Sequence, residues 1–391
     1  MTTSPAQTAL QTLRAELKGA FVGRDAEIDG VLLALIARTH CLLLGPPGTA
    51  KSLITQTIAA ALSPAVDPGA SRDDFYFQQL LTSFTTPDEV FGPFDIAGLD
   101  AGRYERATSG YAPAASVMFM DEIFKANSGT LNALLTLLNE REFDNGTKRV
   151  RCPLQICVGA SNEYPADSSL GALYDRFTMR FWTDYVASRA ERRRLLTCAD
   201  PASQVAAKLT ADQIGELQRD ARAVSVPEPV LDALLDIADR LANEHGIIVS
   251  DRRLRQCVGL VRARAALNGR TTAARSDLRV LADSVWRKHD ERPAVLATVL
   301  ECAAPTLAAA QKLADAAREM IENLREGASV DDMEKAMDAI LAIESEIGRL
   351  DADPTERADV SAMRAEAAAC RKTVARRFQR RTPAMLSALG L

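Results

Sequence analysis

The stretch Gly45-Pro46-Pro47-Gly48-Thr49-Ala50-Lys51-Ser52, inside CLLLGPPGTAKSLI (41–54), decides how the chain is read. An apolar run ends in glycine, and a Lys-Ser pair opens a helical pattern. A phosphate-binding loop has the spacing Gly, four residues, Gly-Lys-Ser/Thr; here Ala50 stands where the second glycine belongs. A strand that turns into a helix N-terminus aims backbone N–H groups and a partial positive charge at a bound anion. Lys51 is placed to neutralise β- and γ-phosphates, and Ser52 to offer a hydroxyl oxygen to Mg²⁺. Gly48 lets the backbone turn without a Cβ. Ala50 lies close to the helix start, so a right-handed helical φ is expected there. Gly48 is expected to take the conformation that alanine cannot. Taken alone, the stretch also fits a plain strand-to-helix turn.

VMFMDE (117–122) separates these readings. Its apolar run is a buried strand, and Asp121 and Glu122 emerge at the C-terminal end, where open α/β sheets bind ligands. Asp121 suits the outer sphere of Mg²⁺, and Glu122 suits a general base polarising an attacking water. Asn162, after the apolar run LQICVGAS (154–161), carries a neutral amide able to orient that water. By itself an asparagine there is an ordinary turn residue.

Around these motifs, residues 1–190 alternate between strand and helix patterns. The strand candidates are 41–45, 75–81, 116–122, 154–162 and 179–186. Helical patterns at 51–62 and 128–141 lie between them, as in a parallel sheet flanked by helices. Residues 84–115 carry many turn formers and break the alternation like an insertion. Asn145-Gly146 in REFDNGTKRVR is a hairpin signal. Residues 191–290 read as an all-helical domain, with apolar periodicity at 230–243 and 252–267. Residues 291–391 read as a helical bundle or coiled arm broken at Gly327-Ala328 and at Asp351–Pro354. One seam there is Val360, Met363, Ala367, Cys370 and Val374. The middle helix presents Met333, Met337, Ile340, Ile347 and Leu350, with Ser329 and Asp332 as a cap.

Composition narrows the function classes. A formal net charge of -5 argues against bulk attraction to nucleic acid or membrane. The seven cysteines are scattered, with no C-x-x-C pair or His/Cys cluster, so neither a zinc site nor a disulfide framework is indicated. His40, His245 and His289 are isolated. MTTSPAQTAL lacks the basic start and apolar run of a signal peptide, and no apolar segment approaches membrane-spanning length, so a cytoplasmic protein is expected. Arg371, Lys372, Arg376, Arg377, Arg380 and Arg381 form a basic end that suits either an anionic partner or a helix C-terminus.

These residues together resemble a known family. The chain is similar to MoxR-type AAA+ ATPases, and within them to the RavA (regulatory ATPase variant A) subfamily. The matching segments are FVGRDAEI, LLLGPPGTAKSLI, TTPDEVFGP, GRYERATSGY, DEIFKANSGTLNALLTLLNEREFDNG, ASNEYPADSSLGALYDR and VSDRRLRQ, in order over about residues 15–290. An alanine before the loop lysine is usual in that family. The resemblance implies an α/β P-loop core with a five-stranded parallel sheet in the order 5-1-4-3-2, an all-α lid and a C-terminal helical bundle. It implies ATP and Mg²⁺ as ligands, with nucleotide contacts along Gly45, Pro46, Pro47, Gly48, Thr49, Ala50, Lys51, Ser52 and Leu53. It places Phe21, Val22 and Gly23 near the adenine.

The same resemblance casts Arg176 as an arginine finger reaching the ATP of a neighbouring subunit, with Arg180 a lesser candidate. It casts Arg252 as the sensor 2 arginine on the lid, with Arg253 second. The 84–115 insertion and the Asn145-Gly146 hairpin match inserts that face the ring pore or a client. The implied function is ATP hydrolysis in a homo-oligomeric, hexameric ring that remodels a client complex, with a von Willebrand factor A-domain protein as partner. RavA itself carries a small β-rich domain among its C-terminal helices; residues 300–391 show only helical pattern, so contacts depending on that domain are not carried over. The alternatives are a nucleic-acid-dependent motor or loader, disfavoured by the acidic charge and the lack of a basic, aromatic stripe, and a small-molecule P-loop kinase. Glu122 beside Asp121, the trans arginine and the helical lid disfavour the kinase.

Overall fold

A computed structural model describes residues 4–62, 74–100, 102–165, 170–324, 329–351 and 356–388. The chain forms two compact units, residues 1–228 with 249–292, and residues 229–248 with 293–391.

The first unit is built on strands β1 (His40–Leu44), β2 (Tyr76–Leu80), β3 (Val117–Asp121), β6 (Ile156–Ser161) and β7 (Phe177–Trp182); β4 (Glu142–Asn145) and β5 (Lys148–Arg151) form a separate antiparallel pair. The five-stranded sheet has the order β2-β3-β6-β1-β7, and every pairing in it is parallel. Counted among the five core strands, this is 5-1-4-3-2. All five residues of β1 and all six of β6 are buried. Strands covered on both faces need such unbroken apolar runs. β7 stops at Trp182 rather than continuing to Val186 as the pattern predicts. Its partner β1 ends at Leu44, whose carbonyl takes a last hydrogen bond from Thr183 N at 2.7 Å, and the chain beyond Leu44 turns away.

The turn leaving β1 departs from expectation at one residue. Gly45 has φ 138°, and a Cβ there would lie 2.1 Å from the Thr183 carbonyl oxygen. Gly48 has φ 78°, as expected. Ala50, however, is left-handed at φ 67°, ψ 19°, and the helix Lys51–Ala61 begins only after it. The expectation of a right-handed helical Ala50 is therefore wrong. The chain must reverse between Gly48 and the first helical turn, and it does so at the residue before the lysine, where the consensus glycine meets no steric cost. Alanine meets about 1–2 kcal/mol.

His40 opens β1 from full burial. Its Nδ1 accepts from Cys157 N (3.1 Å) and its Nε2 lies 2.8 Å from Leu138 O, so the ring is a neutral Nε2–H tautomer. Burial holds its pKa down to about 4.

The 84–115 insertion folds around Arg106. This guanidinium pairs with Asp88, donates to Gly92 O at 2.6 Å and covers the Phe94 ring at 4.2 Å. The expected hairpin forms, with its turn one position on from the Asn145-Gly146 pair: Asn145 ends its strand opposite Lys148, and Gly146-Thr147 make the turn. It docks on the insertion. Asn145 Oδ1 accepts from Arg106 N (2.6 Å), Asn145 Nδ2 donates to Arg106 O (3.1 Å), and Lys148 pairs with Glu105 at 2.7 Å.

Every regular element among the described residues of the second unit is a helix. Helices Pro305–Asn323, Val330–Arg349 and Arg357–Ala388 share a core that includes Leu307, Met333, Ile340, Ile347, Val360, Ala367, Cys370 and Val374. Both predicted seams enter this core, with Met337, Leu350 and Met363 partly buried against it. Ser329 and Asp332 form the expected capping box. Of the predicted helix breaks, Gly327-Ala328 and residues 352–354 lie outside the described residues. The basic end is partly consumed internally. Arg371 pairs with Glu344 at 3.0 Å, and Arg377 reaches the carbonyls of Ile321 and Leu324 near a helix end. The side chains of Arg380 and Arg381 lie outside the described set. None of the seven cysteines forms a disulfide; six are buried and Cys198 is exposed. Among the described residues no helix is long and apolar enough to cross a membrane.

Two stability measurements follow. Ala50→Gly relieves the left-handed strain against some added unfolded-state entropy, so urea unfolding should show a gain of up to about 1 kcal/mol. His40 titrates near 6.5 when unfolded and near 4 when folded. Between these values only the unfolded chain binds the proton. Its contribution is thus complete above about pH 6.5 and is lost as pH falls toward 4, a change of about 3 kcal/mol. His40→Gln should be less stable at pH 7.5 and should lose part of that pH dependence.

Candidate nucleotide site

Parallel strands bring their C-terminal ends to one rim, and that rim carries the site. Gly45 N donates to Ser161 O at 3.0 Å, tying the loop after β1 to the end of β6. The Lys51 ammonium folds over the loop, donating to Gly45 O and Pro46 O, both at 2.8 Å, with Thr49 Oγ1 at 3.3 Å. Burial lowers its pKa, while the charges of Asp121 and Glu122 act to raise it. The charges of Lys51, Asp121 and Glu122 thus act on one another at the rim.

Asp121 ends β3, and burial raises its pKa, with the Glu122 charge adding to the effect. Its Oδ1 accepts from Glu122 N at 3.0 Å. Glu122 is itself left-handed, φ 51° and ψ 44°. Such a torsion is uncommon outside glycine and asparagine, and it costs energy where function requires it. Here it turns the carboxylate out of the strand direction at the rim. Glu122 Oε2 is buried and accepts no hydrogen bond; its ion-pair neighbour is Lys125 Nζ at 3.3 Å. Ser52 opens the helix after the loop with a hydroxyl, and Asp121 brings a carboxylate to the end of β3. Hard oxygen donors of this kind fit Mg²⁺, which keeps most of its shell as water and phosphate.

Beside the loop is a cavity of about 350 Å³. Phe21, Val22, Gly48, Thr49, Ala50 and Leu53 line one side; Tyr185, Val186, Arg192, Leu195 and Cys198 line the other. Its predominantly apolar wall suits the flat face of a base. Gly23 adjoins it with φ 67°. Sequence reading missed the second wall, which is contributed by the segment after β7 and the helix Arg189–Thr197. It also missed Arg24. This buried guanidinium donates to Thr49 O (3.1 Å), Gly23 O (3.0 Å) and Asp184 O (2.7 Å), clamping the loop to both walls. Its position inside FVGRDAEI was the only available signal.

Asn162 is exposed directly after β6. Arg176 and Arg252 are brought together. The Arg252 charge lowers the pKa of Arg176, second to burial, and Arg176 Nε has no hydrogen-bond partner. Arg252 Nη2 touches Asn139 Oδ1 at 3.3 Å. The second-choice arginines are committed elsewhere. Arg180 is buried against the carbonyls of Tyr174, Phe177 and Trp286, and Arg253 is buried against Asp175 at 2.6 Å. Among the described residues no cluster of three or more His, Cys, Asp or Glu side chains offers a metal cage.

Comparison with known proteins agrees with this geometry. Residues 8–219 match the family described as the MoxR domain in the MoxR-vWA-beta-propeller ternary systems, and residues 229–299 match an AAA lid domain. An uncharacterised protein of Methanocaldococcus jannaschii is 36% identical over 327 residues, covering 83% of this chain and 82% of that protein. The chaperone MoxR1 of Mycobacterium tuberculosis is 30% identical over 187 residues, 45% of each chain. The crystal structure of a candidate ATPase from Cytophaga hutchinsonii superposes with a TM-score of 0.60 at 18% identity, over 76% of this chain and 94% of that one, a likeness of fold. With more than half its length matched, the chain belongs to the MoxR family of AAA+ ATPases.

Proposed function

We propose that this protein hydrolyses ATP at the interfaces of a homo-oligomeric ring, a hexamer by family resemblance, and uses the cycle to remodel a partner protein. The observation that carries the reading is Glu122. A carboxylate held at the rim by a left-handed torsion, with an oxygen accepting no hydrogen bond and Asp121 and Lys51 nearby, is arranged to take a proton rather than to stabilise the fold. Lys51 and the loop N–H groups bind the phosphates, the apolar cavity takes the adenine against Phe21 and Val22, and Ser52 and Asp121 hold Mg²⁺. The ion supplies charge neutralisation at the β- and γ-phosphates. Glu122 accepts a proton from the attacking water, which Asn162 orients.

Arg176 and Arg252 act on nucleotide as well. The Arg252 charge acts on Arg176, so the two lie near each other; the family resemblance supports Arg176 as the finger presented to a neighbouring copy and Arg252 as the sensor 2 arginine at the γ-phosphate. A free guanidinium at such a place stabilises charge spreading over the transferring group. The matched family is named for systems that join MoxR to a von Willebrand factor A protein, which supports a partner of that type. The motif string from DEIFKANS to SDRRLRQ supports a place near the RavA subfamily. The docked insertion and hairpin form the surface offered to the client.

Purified variants test this. Glu122→Gln should keep ATP affinity and hydrolyse it about 10²–10⁴-fold more slowly. Lys51→Ala should lose binding. Arg176→Ala should bind and assemble but turn over about 10³-fold or more slowly. Mixed with Glu122→Gln subunits, it should recover in part, because each supplies what the other lacks. Undiminished turnover by Glu122→Gln would overturn the assignment of the base.

A further inference from the structure

Two parts of the first unit that bear proposed nucleotide-facing residues grip the same segment, Trp286–Arg292. From one side comes the turn carrying Arg176. Arg180 Nη1 donates to Trp286 O at 2.6 Å, and Tyr174 Oη donates to Arg287 O at 2.9 Å. Arg180 lies 4.0 Å over the Tyr174 ring and also donates to Tyr174 O, so the backbone on both sides of Arg176 is held to this segment. Asp175, next to Arg176, binds Arg253, next to Arg252.

From the other side comes the loop carrying Asn162. Two residues on, the Tyr164 ring stacks on Trp182 (5.8 Å between centroids, 6° between planes) and meets Trp286 edge-on (6.4 Å, 71°). Trp182 in turn contacts His289 at 4.5 Å. Rings packed in this way transmit a displacement, because close-packed interiors shift between discrete arrangements rather than deform smoothly. The arrangement is also not the best available to its polar atoms. Tyr164 Oη and Trp286 Nε1 are buried without a protein hydrogen-bond partner. Each such group is penalised unless water meets it, which lowers the cost of a second packing.

We propose that Tyr164 is a positioning residue that couples Asn162 to Arg176 through Trp182, Trp286 and the Arg180–Tyr174 pair. Occupancy of a subunit's own site thereby sets how it presents its arginine to the neighbour. The inference rests on the roles given above to Asn162 and Arg176.

The chain contains two tryptophans, and both belong to this cluster. Intrinsic emission of the full-length Glu122→Gln protein therefore reads the relay directly. On saturation with ATP and Mg²⁺ the emission should change, and the change should survive in part in Trp182→Phe and in Trp286→Phe. It should persist in Tyr164→Phe, which keeps the ring, and vanish in Tyr164→Ala. With Glu122 intact, Tyr164→Ala should leave ATP affinity within about twofold while turnover falls about five- to tenfold, the lower end of ordinary coupling. ATP binding by calorimetry without any emission change overturns the relay and leaves the nucleotide site standing. The same emission change in Tyr164→Ala overturns it too, and assigns Tyr164 to packing alone. No ATP binding by Glu122→Gln overturns the underlying nucleotide reading and the relay with it.

Discussion

The parallel pairing of β1 with both β6 and β7 is the constraint on which the rest depends. It fixes Leu44, Ser161 and Trp182 at one level and so sends three loops off the same rim. The Ser161 carbonyl takes Gly45 N, the Leu44 carbonyl takes Thr183 N, and Gly45 presses on the Thr183 carbonyl so closely that no side chain fits between them. The loop after β1 is consequently a continuation of the sheet's hydrogen bonding. Its shape is set by the strands on either side.

That dependence explains where strain collects. Among the described residues four non-glycine residues have positive φ, and two of them, Ala50 and Glu122, flank the candidate site. The other two, Arg38 and Arg141, sit at helix C-termini, where left-handed caps are ordinary. At Ala50 and Glu122 the left-handed torsion falls instead in the turns that leave β1 and β3. The surrounding sheet holds both against their cost.

Much of this was legible in the sequence, for identifiable reasons. Strands buried on both faces are unbroken apolar runs, so β1, β3 and β6 were found to within a residue or two, and Ser329 and Asp332 announced a helix start by their spacing. The order of the strands came from the family resemblance, since no local pattern encodes which parallel strands are neighbours. The end of β7 was misplaced because its limit belongs to β1. The Ala50 torsion was misread because it follows from the reversal of the whole loop, whereas helix propensity speaks only for alanine in a helix. Arg24 was overlooked because its three carbonyl partners, from Gly23, Thr49 and Asp184, meet only in three dimensions. The Arg176–Arg252 proximity was likewise invisible at a separation of 76 positions.

The bond pair between Asn145 and Arg106 has an evolutionary consequence. An asparagine amide that both gives to and takes from one backbone residue recognises that residue's position and ignores its side chain. The hairpin and the insertion are thus matched in length rather than in side-chain chemistry. Descendants of this chain are free to exchange the exposed residues of either element. A deletion in one, however, would strand the tip of the other, and should be inherited only alongside a compensating deletion some forty residues away.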